Sequence, residues 1–553
     1  MPPRRPADVC SVSYLLSLAL LAILPLAPEQ YLFFRDHEDL KFFAPIAYYG
    51  AIVSFLLLAP ALLISRAWSR AWVAAIGSVM GAATLIVGFQ AVSIGARWDI
   101  TAHSALMQTS PGEAWGFLRA FTSLRTVAWT VLLAAGFAVC IAANLRSTRP
   151  RRGVAFTCVF LGLAASSHGI SNAWTYGRQM FVSIPVSTGA SLRIANVGIN
   201  KLHPITLLLV TQLNYSATHD YYLHSYLNIE SHIGQLKGAK PVPGATSPRV
   251  VVVVIGESAS RRHWSLYGYS RETTPELAKL GNQVLLFSDV ISSSVGTQTV
   301  LRAMFSTSIS SVPVFPLFSA AGYETHWLSA QYNQGANDVE VAALVQSCDK
   351  RLFLNGAYDE SLLPHVRQAL SEPGRQIVFV NLFGSHVRYE DRYPAGFAVF
   401  HGDSEKERRI AAYDNSIRYT DHVLAGLIEQ LRGLHEPSCL LYVSDHAEDV
   451  YDSTPDIYLF RNDAIATNAM YEVPFLVWFS LEFKQGNDCF VQDVAAARDR
   501  KYQTLGLYQT LIDLARLRHP IFDPTASLFS PDFVEGKRHV GVAGRIYRKD
   551  PLR

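Results

Sequence analysis

Five apolar stretches crowd the first third of this chain, and they limit what it can fold into more than any other feature. They run roughly from Cys10 to Phe33, Phe43 to Ser65, Ala71 to Val92, Thr126 to Asn144, and Val154 to about Asn172. A helix of about 20 apolar residues spans the hydrocarbon core of a bilayer and satisfies its own backbone there. The first stretch contains Pro25 and Pro28, which predicts a kink near its outer end. It runs on into Tyr31, Phe33 and Phe34 without a small-residue cleavage site, so it reads as a retained anchor rather than a signal peptide. The fifth has a short purely apolar part and must borrow Ser167, His168 and Ser171 to cross.

Basic residues set the expected topology. Arg4 and Arg5 precede the first span, Arg66 and Arg70 separate the second from the third, and Arg146, Arg149, Arg151 and Arg152 separate the fourth from the fifth. Those segments are expected inside, which leaves the loops 35–41 and 90–125 and everything beyond about residue 172 outside. The expected organisation is a five-helix transmembrane domain (1–172), a membrane-proximal connector (173–248) and an outer α/β domain (249–553). Within the connector, Ile205 to Val210 is too short to span and is expected to pack on the membrane surface or against the bundle. Half of the residues are hydrophobic and only 17% are charged, which is low for a soluble protein. A net charge of +3 is too small to indicate a nucleic-acid partner. Of six cysteines, Cys348, Cys439 and Cys489 fall in the outer domain, where they allow at most one disulfide among themselves.

The outer domain begins abruptly with the β-branched run Val250 to Ile255. Ile377 to Phe383, Leu440 to Val443 and Val473 to Phe479 are further strand candidates. Arg409 to Leu431 is helical by its spacing of Tyr413, Ile417, Val423, Leu424 and Leu427. Strands alternating with helices predict a mostly parallel sheet, whose chemistry sits beyond the carboxyl ends of its strands. Three candidate strands run into polar residues there: Gly256-Glu257-Ser258, Gly384-Ser385-His386 and Ser444-Asp445-His446. Glu257, Asp445 and His446 could converge, and two carboxylates with an imidazole suit zinc with a position left for a reacting group. The bland alternative is a set of solvated loop residues. The segment Ser292-Ser293-Ser294-Val295-Gly296-Thr297-Gln298-Thr299 offers hydroxyls at a helix start, where a nucleophile or an ordinary N-cap is equally at home.

A family resemblance chooses among these hydroxyls. The stretch Gly256-Glu257-Ser258-Ala259-Ser260-Arg261-Arg262, continuing through Leu266-Tyr267-Gly268-Tyr269-Ser270-Arg271-Glu272-Thr273-Thr274-Pro275, resembles the opening motif of the bacterial phosphoethanolamine transferases. These belong to the alkaline phosphatase and sulfatase superfamily. Gly384-Ser385-His386 with Arg392-Tyr393-Pro394, Tyr413-Asp414-Asn415-Ser416-Ile417, Ser444-Asp445-His446 with Glu448-Asp449-Val450-Tyr451-Asp452, and Met470-Tyr471-Glu472-Val473-Pro474-Phe475 follow in family order. The resemblance leans toward the branch that modifies the lipopolysaccharide core. It implies an alkaline-phosphatase/sulfatase-like domain in the periplasm of a multi-pass inner-membrane protein. By the same resemblance, Thr297 is the nucleophile, and Glu257, Thr297, Asp445 and His446 hold Zn2+. His386 contacts the phosphate or assists the leaving group.

The implied donor is phosphatidylethanolamine and the implied acceptor a lipopolysaccharide core or another envelope glycan. Thr109 and Glu113 lie four residues apart, on one face if helical, and resemble a family segment that approaches the lipid headgroup. The competing reading is a surface helix anchored by Trp98 and Trp115. In one region the resemblance breaks. Between the Asp-His motif and Val473 the family carries a further histidine, and here 456–471 contains none. Asn468 and Ala469 stand about where it is expected; Asn468 offers a neutral hydrogen bond to substrate, and Arg461 is a candidate for the lost charge. A phosphoglycerol transferase, a hydrolase of the same superfamily, and a catalytically degenerate family member are the alternatives.

Overall fold

The computed structural model describes residues 7–547 apart from 37–39, 95–97, 99–101, 104–105, 108–110, 149, 151, 165, 167–202, 228–235, 237, 307–311, 332–340, 342–343, 455–457, 462–465 and 541–544. The chain forms two compact units, Met1–Leu106 with Phe121–Ala217, and Met107–Ala120 with Thr218–Arg553.

The first unit is helical. Val12–Arg35, Arg66–Ser93 and Leu124–Arg146 are long and apolar enough to cross a membrane, while Ala47–Leu63, Arg152–Ala164 and Pro204–Leu213 are shorter apolar helices. Among the described residues, three of the five expected spans therefore reach membrane length. The second is interrupted before Pro60, which starts a separate short helix, and the fifth is described as helix only to Ala164 apart from Ser166. The kink expected in the first span is a 3-10 turn, Leu24–Leu26, at Pro25, whose ring nitrogen has no hydrogen to donate. Tyr14, Leu21, Val73, Met80 and Phe137 form the buried core. Polar groups meet inside it: Asn144 Nδ2 donates to Ser17 Oγ at 2.9 Å, and Tyr14 Oη lies 2.8 Å from Ser69 Oγ. Leu207 packs with Val87 and Trp98, so the connector stretch 205–210 lies against the bundle. Trp98 is thus buried in protein and is no interface anchor, whereas Trp115 is exposed.

The second unit is built on a seven-stranded sheet. In chain order its strands are β1 (Val250–Gly256), β2 (Val284–Leu286), β3 (Tyr323–Ser329), β4 (Lys350–Phe353), β5 (Arg375–Asn381), β6 (Ser438–Ser444) and β7 (Phe475–Phe479). Their spatial order is β2-β7-β6-β1-β5-β3-β4. Only β7 runs antiparallel to its neighbours; the β1, β3, β4, β5 and β6 pairings are parallel. The mostly parallel sheet expected from the sequence is present, with β7 reversed. Pro474, which has no amide hydrogen, precedes β7.

β1 lies at the centre and is buried on both faces, which is why it reads as an unbroken β-branched run. Val251, Val253 and Ile255 join one core, and Val250, Val252 and Val254 the other. Each such valine contributes about 1.5–3 kcal/mol relative to exposure. The helix Glu405–Arg432 covers the second face with Tyr413, Ile417, Val423, Leu424 and Leu427. Its start is fixed by a capping box in which Ser404 Oγ accepts from Glu407 N at 3.2 Å.

β3 escaped the sequence reading because Glu324, Thr325 and His326 break its apolar pattern. The structure satisfies all three: Thr325 Oγ1 donates to Asp349 Oδ2 at 2.8 Å, His326 Nε2 lies 2.8 Å from Gln376 Oε1, and Glu324 Oε1 pairs with Lys350 Nζ at 3.0 Å. Cys348, Cys439 and Cys489 are free thiols.

Candidate active site

Parallel pairing brings distant polar residues to one edge of the sheet. Gly256 at the end of β1 is in register with Ser444 at the end of β6, and Ile255 with Asn381 at the end of β5. The residues that follow, Glu257, Asp445-His446 and the loop to His386, must therefore be neighbours. The turns are tight. A Cβ on Gly256 would stand 2.4 Å from Tyr442 Oη, and Gly384 adopts φ +51° with its Cβ position 2.8 Å from the Glu257 carbonyl oxygen. Ser258 takes φ +60° just past Glu257. Its amide donates to Asp445 Oδ1 at 3.1 Å, its hydroxyl to Glu257 Oε1 at 2.6 Å, and the Asp445 amide to Gly256 O at 2.9 Å.

Thr297 is the first residue of the helix Thr297–Phe305, behind Gly296. Its hydroxyl donates to Glu257 Oε2 at 3.1 Å and lies 3.2 Å from His446 Nε2. Ligand atoms of Glu257, Asp445 and His446 lie within 4.8 Å of one another, and all three residues are buried. His446 Nδ1 is 3.2 Å from the Ala447 carbonyl, a contact that favours its proton there and leaves the Nε2 lone pair facing the cluster. Asp445 Oδ2 is fully buried with no hydrogen-bond donor, 3.3 Å from His446 Nε2. An orphaned carboxylate oxygen beside a second carboxylate and an imidazole lone pair fits a dication. A second group, Glu324, His326 and Glu372, is already served by Lys350, whose Nζ pairs with Glu324 at 3.0 Å and also contacts Glu372.

The electrostatics follow from burial and crowding. Burial works to raise the Glu257 carboxyl, but His446, Arg461 and His386 outweigh it and hold it well below the usual range. Burial and the Glu257 charge push Asp445 well above the usual range. Burial also lowers His386 to about 3, so its imidazole is neutral at pH 7. Glu448, buried beside Tyr389 and Tyr458, is pushed up to about 8 by burial.

Arg461 makes several contacts within this site. It donates to Glu257 Oε1 at 3.2 Å, Thr297 Oγ1 at 3.3 Å and His386 Nε2 at 3.3 Å, contacts His446 Nε2, and stands 3.9 Å from Glu448 Oε1. Gln331 braces Glu257 from another side, donating to Oε2 at 3.3 Å and to the Leu382 carbonyl at 2.8 Å. Sequence reading missed Gln331, which follows the strand β3 that it did not recognise, and assigned no part to Glu448 although it lies in the motif after Ser444-Asp445-His446. Asn468 opens the turn Asn468–Met470, and the Met470 carbonyl accepts from Ala447 N at 3.0 Å, tying that turn to the His446 loop. Glu113 falls in the helix Pro111–Phe121, within the stretch Met107–Ala120 that groups with the sheet-containing unit. Thr109 and the Glu113 side chain lie outside the described residues.

A buried carboxylate and imidazole cluster at the carboxyl edge of such a sheet defines a metal-dependent enzyme of the sulfatase and alkaline-phosphatase class, and the Sulfatase family profile matches residues 249–517. Phosphoethanolamine transferase EptC of Escherichia coli is 32% identical over 359 residues, covering 60% of this chain and 61% of that protein. Phosphoethanolamine transferase CptA of Salmonella typhimurium is 32% identical over 335 residues, covering 55% and 57%. The matches thus span about three-fifths of those relatives' lengths. The crystal structure of the C-terminal periplasmic domain of Escherichia coli EptC in complex with Zn superposes with a TM-score of 0.52 at 31% identity, over 55% of this chain and 92% of that one. The integral membrane lipooligosaccharide phosphoethanolamine transferase A of Neisseria meningitidis shares the fold along 92% of this chain and 98% of its own, with a TM-score of 0.65 at 20% identity. The chain belongs to the bacterial phosphoethanolamine transferase family. Its layout is that of a multi-pass inner-membrane protein with a periplasmic domain.

Proposed function

We propose that this protein transfers phosphoethanolamine from phosphatidylethanolamine to a lipopolysaccharide core or related envelope glycan, through a covalent intermediate on Thr297. The observation that carries this reading is the Thr297 hydroxyl, held at 3.1 Å from Glu257 Oε2 and 3.2 Å from His446 Nε2 at the start of a helix. Glu257, Thr297, Asp445 and His446 would hold zinc. Bound there, zinc supplies charge that stabilises an alkoxide on threonine and the oxygens of the transferred group.

The protein's own groups account for the rest. In the first half-reaction the Thr297 oxygen bonds to phosphorus, and the bond from phosphorus to the diacylglycerol oxygen breaks with its electron pair. Thr297 gives up one proton and diacylglycerol gains one. In the second, an acceptor hydroxyl attacks the same phosphorus and loses its proton, the bond from phosphorus to the Thr297 oxygen breaks with its electron pair, and that oxygen regains a proton. His386 is neutral, so it is suited to hydrogen-bond the phosphoryl group or leaving oxygen rather than to arrive as a charged acid. Asn468 is assigned to the substrate side, and Thr109 and Glu113 to the ethanolamine headgroup, where a carboxylate matches an ammonium. The grouping of Met107–Ala120 with the sheet-containing unit supports that assignment.

The test is intact mass of the zinc-loaded full-length protein after incubation with phosphatidylethanolamine, beside Thr297→Ala. A phosphoethanolamine-sized adduct on the wild type alone is expected. A folded, zinc-loaded protein that gains no adduct, even when quenched at the shortest times, contradicts the reading. An adduct of phosphoglycerol size from phosphatidylglycerol instead would change the donor and keep the nucleophile.

A further inference from the structure

The three carboxylates nearest Thr297 are all buried, Glu257 at 1%, Asp445 at 0% and Glu448 at 0% exposure. Arg461 reaches them from the open side, its side chain still 17% exposed. One edge of its guanidinium faces the side wall, with Nε 3.9 Å from Glu448 Oε1 and Cζ 5.4 Å from the centre of the Phe460 ring. The other edge points inward, with Nη1 on Glu257, Thr297 and His446 and Nη2 on His386. An arginine guanidinium keeps its charge throughout the physiological pH range.

Nη1 touches the same atoms that suit a metal, and two cations cannot share them. The charge count then says where Arg461 belongs. Two ligand carboxylates cancel one dication, so a phosphodiester arriving at Thr297 brings a negative charge that the metal site does not offset. His386 is neutral and cannot supply it. A guanidinium with Nη1 on the Thr297 hydroxyl and Nη2 on the adjacent His386 presents the two-pronged donor edge that matches a pair of phosphoryl oxygens.

We propose that Arg461 is the phosphate-binding residue of this site: its Nη edge grips the non-bridging oxygens of the phosphoryl group carried on Thr297. The assignment rests on the phosphoryl-transfer reading above. It differs from a bracing role, because a brace would hold Glu257 and His446 in place and its loss would weaken metal binding.

The test uses the full-length protein in detergent, zinc-loaded and freed of excess zinc, with inorganic phosphate as the probe. Phosphate affinity is measured by calorimetry and zinc affinity by competition with a chromophoric chelator, for wild type, Arg461→Gln, Arg461→Lys and Arg392→Gln. Arg392 is the nearby comparison, stacked 3.8 Å over Phe383. In Arg461→Gln, phosphate binding is expected to weaken about ten- to a hundred-fold, the scale of losing hydrogen bonds to a charged group. Zinc affinity should hold or rise, and Arg461→Lys should recover part of the loss. Unchanged phosphate affinity in Arg461→Gln overturns the proposal. So does zinc affinity that falls in step with phosphate, or a loss seen in Arg392→Gln alone. Wild-type protein that binds zinc and phosphate but forms no adduct with phosphatidylethanolamine would sink the reading of that lipid as donor, while the phosphate affinities would still decide whether Arg461 binds phosphate at this site.

Discussion

Thr297 and Glu257, forty residues apart in the chain, are joined by a 3.1 Å hydrogen bond from the threonine hydroxyl to the carboxylate. The helix Thr297–Phe305 thus begins with its first side chain on the residue that follows the central strand. Thr297→Ala should abolish the covalent adduct and lower transfer on the order of a thousand-fold or more. Thr297→Ser, which keeps an oxygen at that place, should retain measurable adduct. Single-turnover assays by mass spectrometry decide it; equal activity in wild type and the alanine variant would remove Thr297 from the chemistry.

Gln331 donates to the same carboxylate and to the Leu382 carbonyl, so it fixes the Glu257 rotamer. Gln331→Leu should weaken zinc binding by roughly ten- to a hundred-fold, as loss of groups that orient metal ligands does. Chelator competition reads this directly. No change in zinc affinity would show that Glu257 is held without it.

Gly384 adopts φ +51° with the Glu257 carbonyl oxygen and amide nitrogen 2.8 and 2.9 Å from where a Cβ would sit. Gly384→Ala therefore strains the backbone and pushes Glu257 at once, costing about 1–3 kcal/mol with a matching drop in melting temperature. Gly396→Ala meets nothing within 4 Å and should leave the melt unchanged. Equal melts for the two variants would contradict the geometry.

His263 carries a pH prediction. Burial lowers its basicity, but the Asp452 and Asp414 carboxylates outweigh burial and raise it from 6.5 to about 9. The folded state binds this proton more tightly than the unfolded state does. The stabilisation is complete below the unfolded value of 6.5 and is lost as pH rises through 9, up to about 3 kcal/mol. Thermal melts from pH 6 to pH 10 should fall more steeply for the wild type than for His263→Gln; parallel curves would show that His263 carries no such linkage.

The apolar run of β1, the helix 405–432 and the residues at three strand ends were legible because each is a local signal: side-chain branching, spacing, and polarity where a strand stops. The interruption at Pro60 was less so, since whether a stretch stays one helix depends on its packing as well as its hydropathy. β3 was hidden by polar residues that Asp349, Gln376 and Lys350 make acceptable there.

The sequence by itself determined that apolar helices precede an α/β domain, and which acids, hydroxyls and imidazoles stand at the strand ends. Hydropathy and branching act through neighbouring residues, so they can be read along the chain. Only the tertiary structure decided that β7 runs in reverse, that Gln331 steadies Glu257, and that Arg461 reaches Thr297, 164 residues away. Those relations depend on which elements pair and on the side chains that meet where they do. A guanidinium in a loop acquires its role from three buried carboxylates contributed by two other strand ends, and no local pattern encodes that meeting.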